Sequence, residues 1–207
     1  MSITTYGELK TAVGVWLNRT DLTSYIPDFI RLGEQRIYYG SSDPFPSTPL
    51  RVPAMQTQAT GTLSASSIAF PTRWLEPIRI AVSSGGTSIS LQYMPPERFS
   101  EAQNSSAPPS AYTYLNNTIQ TAGTGAASYT LDYYAAFATL TADADTNWIF
   151  SNAPGIYLYA ALIESAPFIG DAPMLNGWLA MFKSQIAAVN RATKYQGGGA
   201  LATRVVQ

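Results

Sequence analysis

Apolar positions recur at helical spacing at both ends of this chain and at strand spacing between them. Near the start, Thr5-Tyr-Gly-Glu8 matches a capping box, in which a hydroxyl and a carboxylate each satisfy an otherwise unpaired amide. Leu9, Val13, Trp16 and Leu17 follow on one helical face. Residues 18–21 read as a turn. A second helix is predicted from about Leu22, with Pro27 in its first turn and Asp28 at its positive end. Phe29, Ile30, Gly33 and Ile37 share its inner face, and Tyr38-Tyr-Gly40 closes it. At the other end, Asn152-Ala-Pro-Gly155 opens a helix over 156–166 that carries Tyr157 and Leu158; Pro167 and Gly170 are expected to end it. Asp171 is the expected cap of a last helix. There Leu175, Leu179, Phe182, Ile186 and Val189 recur at alternating steps of four and three, widened by Trp178, Met181 and Gln185.

Between the helices the period changes to two. Residues 41–60 are rich in Pro and Ser, with Leu50-Arg-Val52 as a possible short strand. Ile78, Ile80 and Val82 alternate, Ser83-Ser-Gly-Gly86 turns, and Ile89, Leu91 and Tyr93 alternate again, which predicts a hairpin with a turn a little longer than the tightest type. Residues 95–103 can hold one or two helical turns. Tyr112 and Tyr114, Asn116-Asn117 and Ile119 predict a second hairpin, and Tyr129, Leu131 and Tyr133 a further strand. Strands at this spacing indicate an antiparallel sheet or a small sandwich. Both helical ends have an apolar face and few partners nearby, so packing them together hides both. The expected fold is α+β: a discontinuous antiparallel helical bundle built from residues 1–42 and 139–195, an inserted antiparallel β domain over 43–138, and an extended C-terminal arm over 196–207. Trp16, Phe29, Ile30, Tyr157, Leu158, Trp178, Leu179, Phe182 and Ile186 are the expected packing residues of the helical part.

Composition sharpens this picture. The chain is 46% hydrophobic and only 12% charged, with net charge −1, so little on its surface keeps copies apart, and the composition points to an assembly. It has no histidine and no cysteine, which removes the commonest general base, the commonest metal ligand, thiol nucleophiles and disulfides. The missing cysteine fits a cytosolic origin. No run is long enough to span a bilayer, and Met1 is not followed by a signal-peptide pattern. Asp143-Ala-Asp145-Thr-Asn147 begins like a calcium loop, but Trp148 stands where glycine is needed and Pro154 where the bidentate glutamate belongs. Asp145 or Thr146 capping a helix through Trp148 explains the stretch better. Glu97 and Glu101 lie one helical turn apart, with Glu76 elsewhere in the β part, but exposed carboxylates account for them without catalysis. Neither a cofactor nor a metal is expected, and the protein is not read as an enzyme. Tyr112, Tyr114, Tyr129, Tyr133 and Trp74 could form a sugar-stacking platform; half-buried strands favour such residues in any case.

The tail offers a different kind of chemistry. Gly197, Gly198 and Gly199 lose much backbone entropy on ordering and form a hinge unless a partner fixes them. Beyond them Leu201, Arg204, Val205 and Val206 offer apolar and charged anchors in a segment too short to fold alone, and Val205-Val206 suits addition to a strand edge of another chain. The alternative is an unanchored terminus.

The stretch Ala153-Pro-Gly-Ile-Tyr-Leu-Tyr-Ala-Ala-Leu-Ile-Glu-Ser-Ala-Pro-Phe168, with Asp171, Trp178 and the glycine-hinged end, resembles the head-to-tail adaptor proteins of short-tailed bacteriophages. Thr5-Tyr-Gly-Glu-Leu9, Trp16-Leu-Asn18, Ile26-Pro-Asp-Phe-Ile30, Glu34-Gln-Arg36, Tyr133-Tyr134 and Thr146-Asn-Trp-Ile149 extend the resemblance, while the uncharged Ile37-Tyr-Tyr-Gly40 departs from it. The resemblance implies a structural virion part at the head–tail junction, made in the host bacterial cytoplasm. Such adaptors form a homo-oligomeric ring, usually of twelve copies, below the portal protein. They join it to the tail nozzle or tail-fibre proteins, and double-stranded DNA passes through without sequence-specific binding. The C-terminal arm is implied to dock on the portal, and no membrane is involved. The other reading of the residues is a carbohydrate- or host-recognition binding module using the aromatic β insertion.

Overall fold

The structure, a computed structural model, describes residues 2–42, 45–63, 66–102, 109–123, 128–170 and 172–196. In chain order its elements are α1 (Tyr6–Leu17), α2 (Ile26–Tyr39), β1 (Gln56–Thr62), β2 (Ser67–Ala69), β3 (Trp74–Ser84), β4 (Thr87–Ser90), β5 (Gln92–Tyr93), α3 (Pro96–Ala102), β6 (Ala111–Leu115), β7 (Thr118–Ala122), β8 (Ser128–Ala135), α4 (Trp148–Asn152), α5 (Gly155–Ile169) and α6 (Ala172–Gln196). Helix and sheet segregate along the chain, an α+β arrangement. Two compact units result, one of Met1–Ala54 with Phe137–Gln207, the other of Met55–Ala136.

In the first unit, α5 is contacted by α1, α2, α4 and α6. Its sequence is apolar on nearly every side, and Ile156, Tyr157, Leu158, Ala160, Ala161, Leu162, Ile163 and Ala166 are all buried. Phe29, Ile30 and Ile37 of α2 and Trp178, Leu179, Phe182 and Ile186 of α6 are buried as well. Trp16, in the last turn of α1, stays 47% exposed and meets Tyr159 edge-on, which puts it at the margin of this core. At Gly33 the α2 backbone lies close to α5: a Cβ there would come within 3.0 Å of Ala160 and of the Ala161 amide nitrogen. Thr5 caps α1 by accepting from the Glu8 amide, and Glu8 reaches back to Thr4, one residue earlier than the Thr5 amide a capping box would use.

Several expectations are corrected. Pro167 does not end α5: it sits in the last turn, the helix continues to Ile169, and Gly170 in the left-handed conformation is the C-cap. The cap of α4 is Asn147, which accepts from the Ile149 amide, and not Asp145 or Thr146. Asp145 instead accepts the amides of Thr141 and Ala142, which hold its carboxyl below the usual carboxylate range. Leu50-Arg-Val52 forms no strand. Leu50 and Val52 are buried with the helices, the Leu50 amide donates to Ile37, and Asn190 of α6 clasps the Arg51 amide and the Pro49 carbonyl. Residues 45–54 therefore count with the helical unit, not with the strands. Asp171 lies outside the described residues.

The second unit holds two four-stranded sheets, ordered β1-β8-β3-β4 and β2-β7-β6-β5. Ile68, Ile80, Val82, Leu91, Ile119, Leu131 and Tyr133, drawn from both sheets, form one core. The pairing is not wholly antiparallel as expected: β5 and β6 are parallel, with α3 between them in the chain where parallel neighbours need a long connection. The first hairpin has the tightest connection, not a longer one, since Ser84 pairs with Thr87 and Gly85 and Gly86 both take positive φ. Asn116 and Asn117 do the same between β6 and β7. Ile78 leaves the expected inward row. Register shifts on either side of Pro77, which has no amide to donate, turn Ile78 outward to 46% exposure.

Gly33→Ala is expected to destabilise by about 1–2 kcal/mol, because backbone and not a flexible side chain must move. Gly177→Ala, with no atom within 4 Å of the added methyl, is expected to stabilise by about 0.5–1 kcal/mol. Denaturant melts of the two variants check both signs.

Candidate interaction surfaces

On the helical unit, α2 and α5 run antiparallel. Tyr157 reaches Glu34, Ala160 packs on Gly33, and Phe168 lies 5.1 Å from Phe29 between ring centres. The Arg36 Nε donates to Glu164 Oε1 at 2.5 Å, with the two side chains only 12% and 20% exposed, and Arg36 Nη1 donates to the Phe45 carbonyl at 3.2 Å. Beside this pair opens a cleft of about 380 Å³ lined by Phe45, Ile163, Ala166, Pro167, Gly170 and Leu175. Tyr25, Leu32 and Tyr39 follow at intervals of seven along the flank of α2, and with Phe168 they are between 46 and 68% exposed. A shallower hollow lined by Leu32, Gln35, Tyr39 and Ser41 joins the same ion pair. The cleft is therefore lined mainly by apolar residues, and the ion pair beside it is neutralised internally. Such a face suits a protein surface, since a contiguous exposed apolar patch marks association more often than ligand chemistry.

Within the same unit the Tyr157 hydroxyl donates to Glu34 Oε1 at 3.3 Å and accepts from Asn147 Nδ2 at 2.8 Å. Burial pushes the Glu34 carboxyl up to about 7, with the Tyr157 hydroxyl opposing the shift. Burial raises Tyr157 far above the ordinary phenol range, reinforced by Tyr38 and Glu34. This network ties α2, α5 and the approach to α4 by one polar contact set, and its atoms face helices, not an open cavity.

On the β unit, six aromatic rings touch in series. Tyr93, Tyr112 and Tyr114 meet one another at 5.6–5.8 Å, Tyr114 meets Phe70 at 6.0 Å, Phe70 stacks on Trp74 at 5.1 Å, and Trp74 meets Tyr133 at 5.3 Å. Tyr93 is 54% exposed, Tyr112, Tyr114, Phe70 and Trp74 are half-buried, and Tyr133 is buried. Burial, then Tyr112, Tyr93 and Glu76, raise the Tyr114 hydroxyl. Tyr129 packs on the same core beside Gly61 but is outside the ring series.

The residues singled out in the sequence separate into three groups. Phe29, Ile30, Tyr157, Leu158, Trp178, Leu179, Phe182 and Ile186 lie inside the helical unit, with Trp16 at its margin. Glu76 and Glu97 are exposed, and the Glu101 side chain lies outside the described residues. Among the described residues no group of acidic side chains could hold a metal ion. Gly197, Gly198, Gly199, Leu201, Arg204, Val205 and Val206 also lie outside the described residues. Sequence reasoning missed the Arg36–Glu164 pair and the Glu34–Tyr157 contact. The repeat of Tyr25, Leu32 and Tyr39 every seven residues was the available signal for the exposed apolar flank beside the first, not for the pair itself.

The model of the SU10 adaptor protein family matches residues 4–204, nearly the whole chain, and the chain belongs to that family. It is thus a phage adaptor-type protein, a structural class and not an enzyme class, and residues 197–204 fall within the matched range. Association with phage head and tail proteins and a place in the virion follow from that membership. No curated protein matches the chain. No helix among the described residues is long and apolar enough to cross a membrane.

Because the folded-state pKa of Glu34 lies above its unfolded value, folding takes up a proton there. The stabilisation is full below about pH 4.5 and is lost as pH rises through about 7. Glu34→Gln is expected to remove this slope and to leave the variant more stable than the parent at pH 8, by on the order of 2 kcal/mol after allowing for partial solvent screening. Thermal melts of both proteins at pH 5 and pH 8 measure it.

Proposed function

We propose that the protein is a head-to-tail adaptor of a short-tailed phage, assembled as a ring, usually of twelve copies, below the portal. The ring joins the portal to the tail nozzle or tail fibres and continues the channel through which double-stranded DNA moves without sequence-specific contacts. The family match over residues 4–204 carries this reading. The α2/α5 face supports it, since Tyr25, Leu32, Tyr39 and Phe168 stay exposed there among the described residues. So does a net charge of −1, which gives DNA little to adhere to. In the same reading the β unit, Met55–Ala136, is the insertion turned toward tail components, residues 197–207 form an extended arm, and Leu201, Arg204, Val205 and Val206 anchor that arm on the portal beyond the Gly197, Gly198, Gly199 hinge. The protein is made in the host cytoplasm and ends at the head–tail junction.

The series of rings from Tyr93 to Tyr133 supports a second reading, a carbohydrate- or host-recognition module. Glycan-array binding that disappears in Tyr112→Ala and Trp74→Ala would favour it over the adaptor.

The solution mass of the protein, alone and with portal, tests the first reading. The expected outcome is a large closed assembly in the presence of portal. A chain that stays monomeric and indifferent to portal overturns it. Deleting residues 197–207 is expected to abolish attachment to portal with an unchanged melting curve, and undiminished attachment removes the arm from the mechanism.

A further inference from the structure

The sheet β1-β8-β3-β4 is antiparallel at every step, so its two edge strands, β1 and β4, run in opposite directions. A copy placed beside it in the same orientation would bring β4 of one copy against β1 of the next as an antiparallel pair, the geometry of the strand pairs already inside the sheet. The other sheet does not offer this. Its step from β6 to β5 is parallel, so its edges β2 and β5 point the same way, and they have only three and two residues.

The chemistry of the two edges agrees with their direction. Proteins that keep edge strands apart use charge, proline, bulges or very short strands. The seven residues of β1, Gln56-Thr-Gln-Ala-Thr-Gly-Thr62, and the four of β4, Thr87-Ser-Ile-Ser90, contain no charged residue and no proline. No register shift interrupts β1 against β8 or β4 against β3. Thr57, Gln58, Thr60 and Thr62 on one edge and Thr87, Ser88 and Ser90 on the other are exposed. Among the described residues the backbone of β1 bonds to β8 and that of β4 to β3, which leaves the outer side of each strand open.

We propose that β1 of one copy pairs with β4 of a second copy, head to tail, so that the β units of neighbouring subunits share one continuous sheet. The inference rests on the ring proposed above and names a contact within it. A heterologous contact of this kind closes into a ring when its rotation permits, whereas β1 against β1 would stop at a dimer.

The chain has no cysteine, so introduced thiols are the only ones present. Thr60 and Thr62 are each combined as cysteine with Ser88→Cys and with Ser90→Cys, assembled with portal and oxidised. At least one combination is expected to give a ladder of covalent multimers beyond the dimer on a denaturing gel, while single variants give none. A full-size ring by native mass with no ladder from any combination overturns the strand contact and leaves the ring standing. Dimers from Thr60→Cys alone overturn the head-to-tail direction. No assembly of any size removes the ring and this contact with it. The double variant Thr60→Lys, Ser88→Lys sets like charges on the facing edges and is expected to raise the concentration needed for assembly about tenfold with unchanged circular dichroism. An unchanged concentration overturns the contact.

Discussion

Helix α5 has no side that water would tolerate, and the helical unit is arranged to cover it. Its residues are apolar almost all round, so it must be wrapped from several directions. The chain supplies the wrapping from both of its ends, α1 and α2 from one and α4 and α6 from the other. The need to bring α2 close explains Gly33: a side chain there would meet the Ala160 backbone. The Arg36–Glu164 pair joins α2 to α5 with both side chains largely covered, so the one charge that α5 carries is answered by its neighbouring helix. Beyond that pair Tyr25, Leu32 and Tyr39 stay exposed along the flank of α2 among the described residues.

The β unit solves its burial differently. Each of its sheets hides one face against the other, and the shared core draws on β2, β3, β7 and β8. Its turns are set by residues that accept positive φ, Gly85-Gly86 and Asn116-Asn117, so each hairpin closes in two residues. The two units thus differ in what they leave outside: the first leaves side chains, the second leaves strand edges.

Helix periodicity was readable because one face of α1, α2 and α6 is apolar and the other is not, so the steps of three and four from Leu175 to Val189 translate into one buried row. The strands rich in tyrosine and isoleucine were readable for the same reason at a period of two. What escaped was whatever periodicity does not encode. Strand β1 is nearly all polar because it is an edge strand on an exposed face, and it gives no alternation. The outward turn of Ile78 depends on how the strand slips past Pro77, which the residue pattern alone does not fix. Leu50 and Val52 look like a strand because β-branched and apolar residues also suit an irregular segment pinned by Asn190, more than a hundred positions away. The candidate surface was legible in part: the repeat of Tyr25, Leu32 and Tyr39 is in the sequence, but the cleft beside it needs three distant segments brought together.

That the helical unit is closed by both ends of the chain sets an order of events during synthesis. The β unit, contiguous from Met55 to Ala136, can complete itself while the ribosome is still working. The first two helices cannot, because Phe29, Ile30 and Ile37 must wait for α5 and then α6 to emerge. At ordinary elongation rates that wait is on the order of ten seconds, long enough for nascent chains on one message to meet. The step most exposed to error in making this protein is therefore the late return of its C-terminal helices to a waiting N-terminal pair, and a chaperone that shields early helices would find its client there.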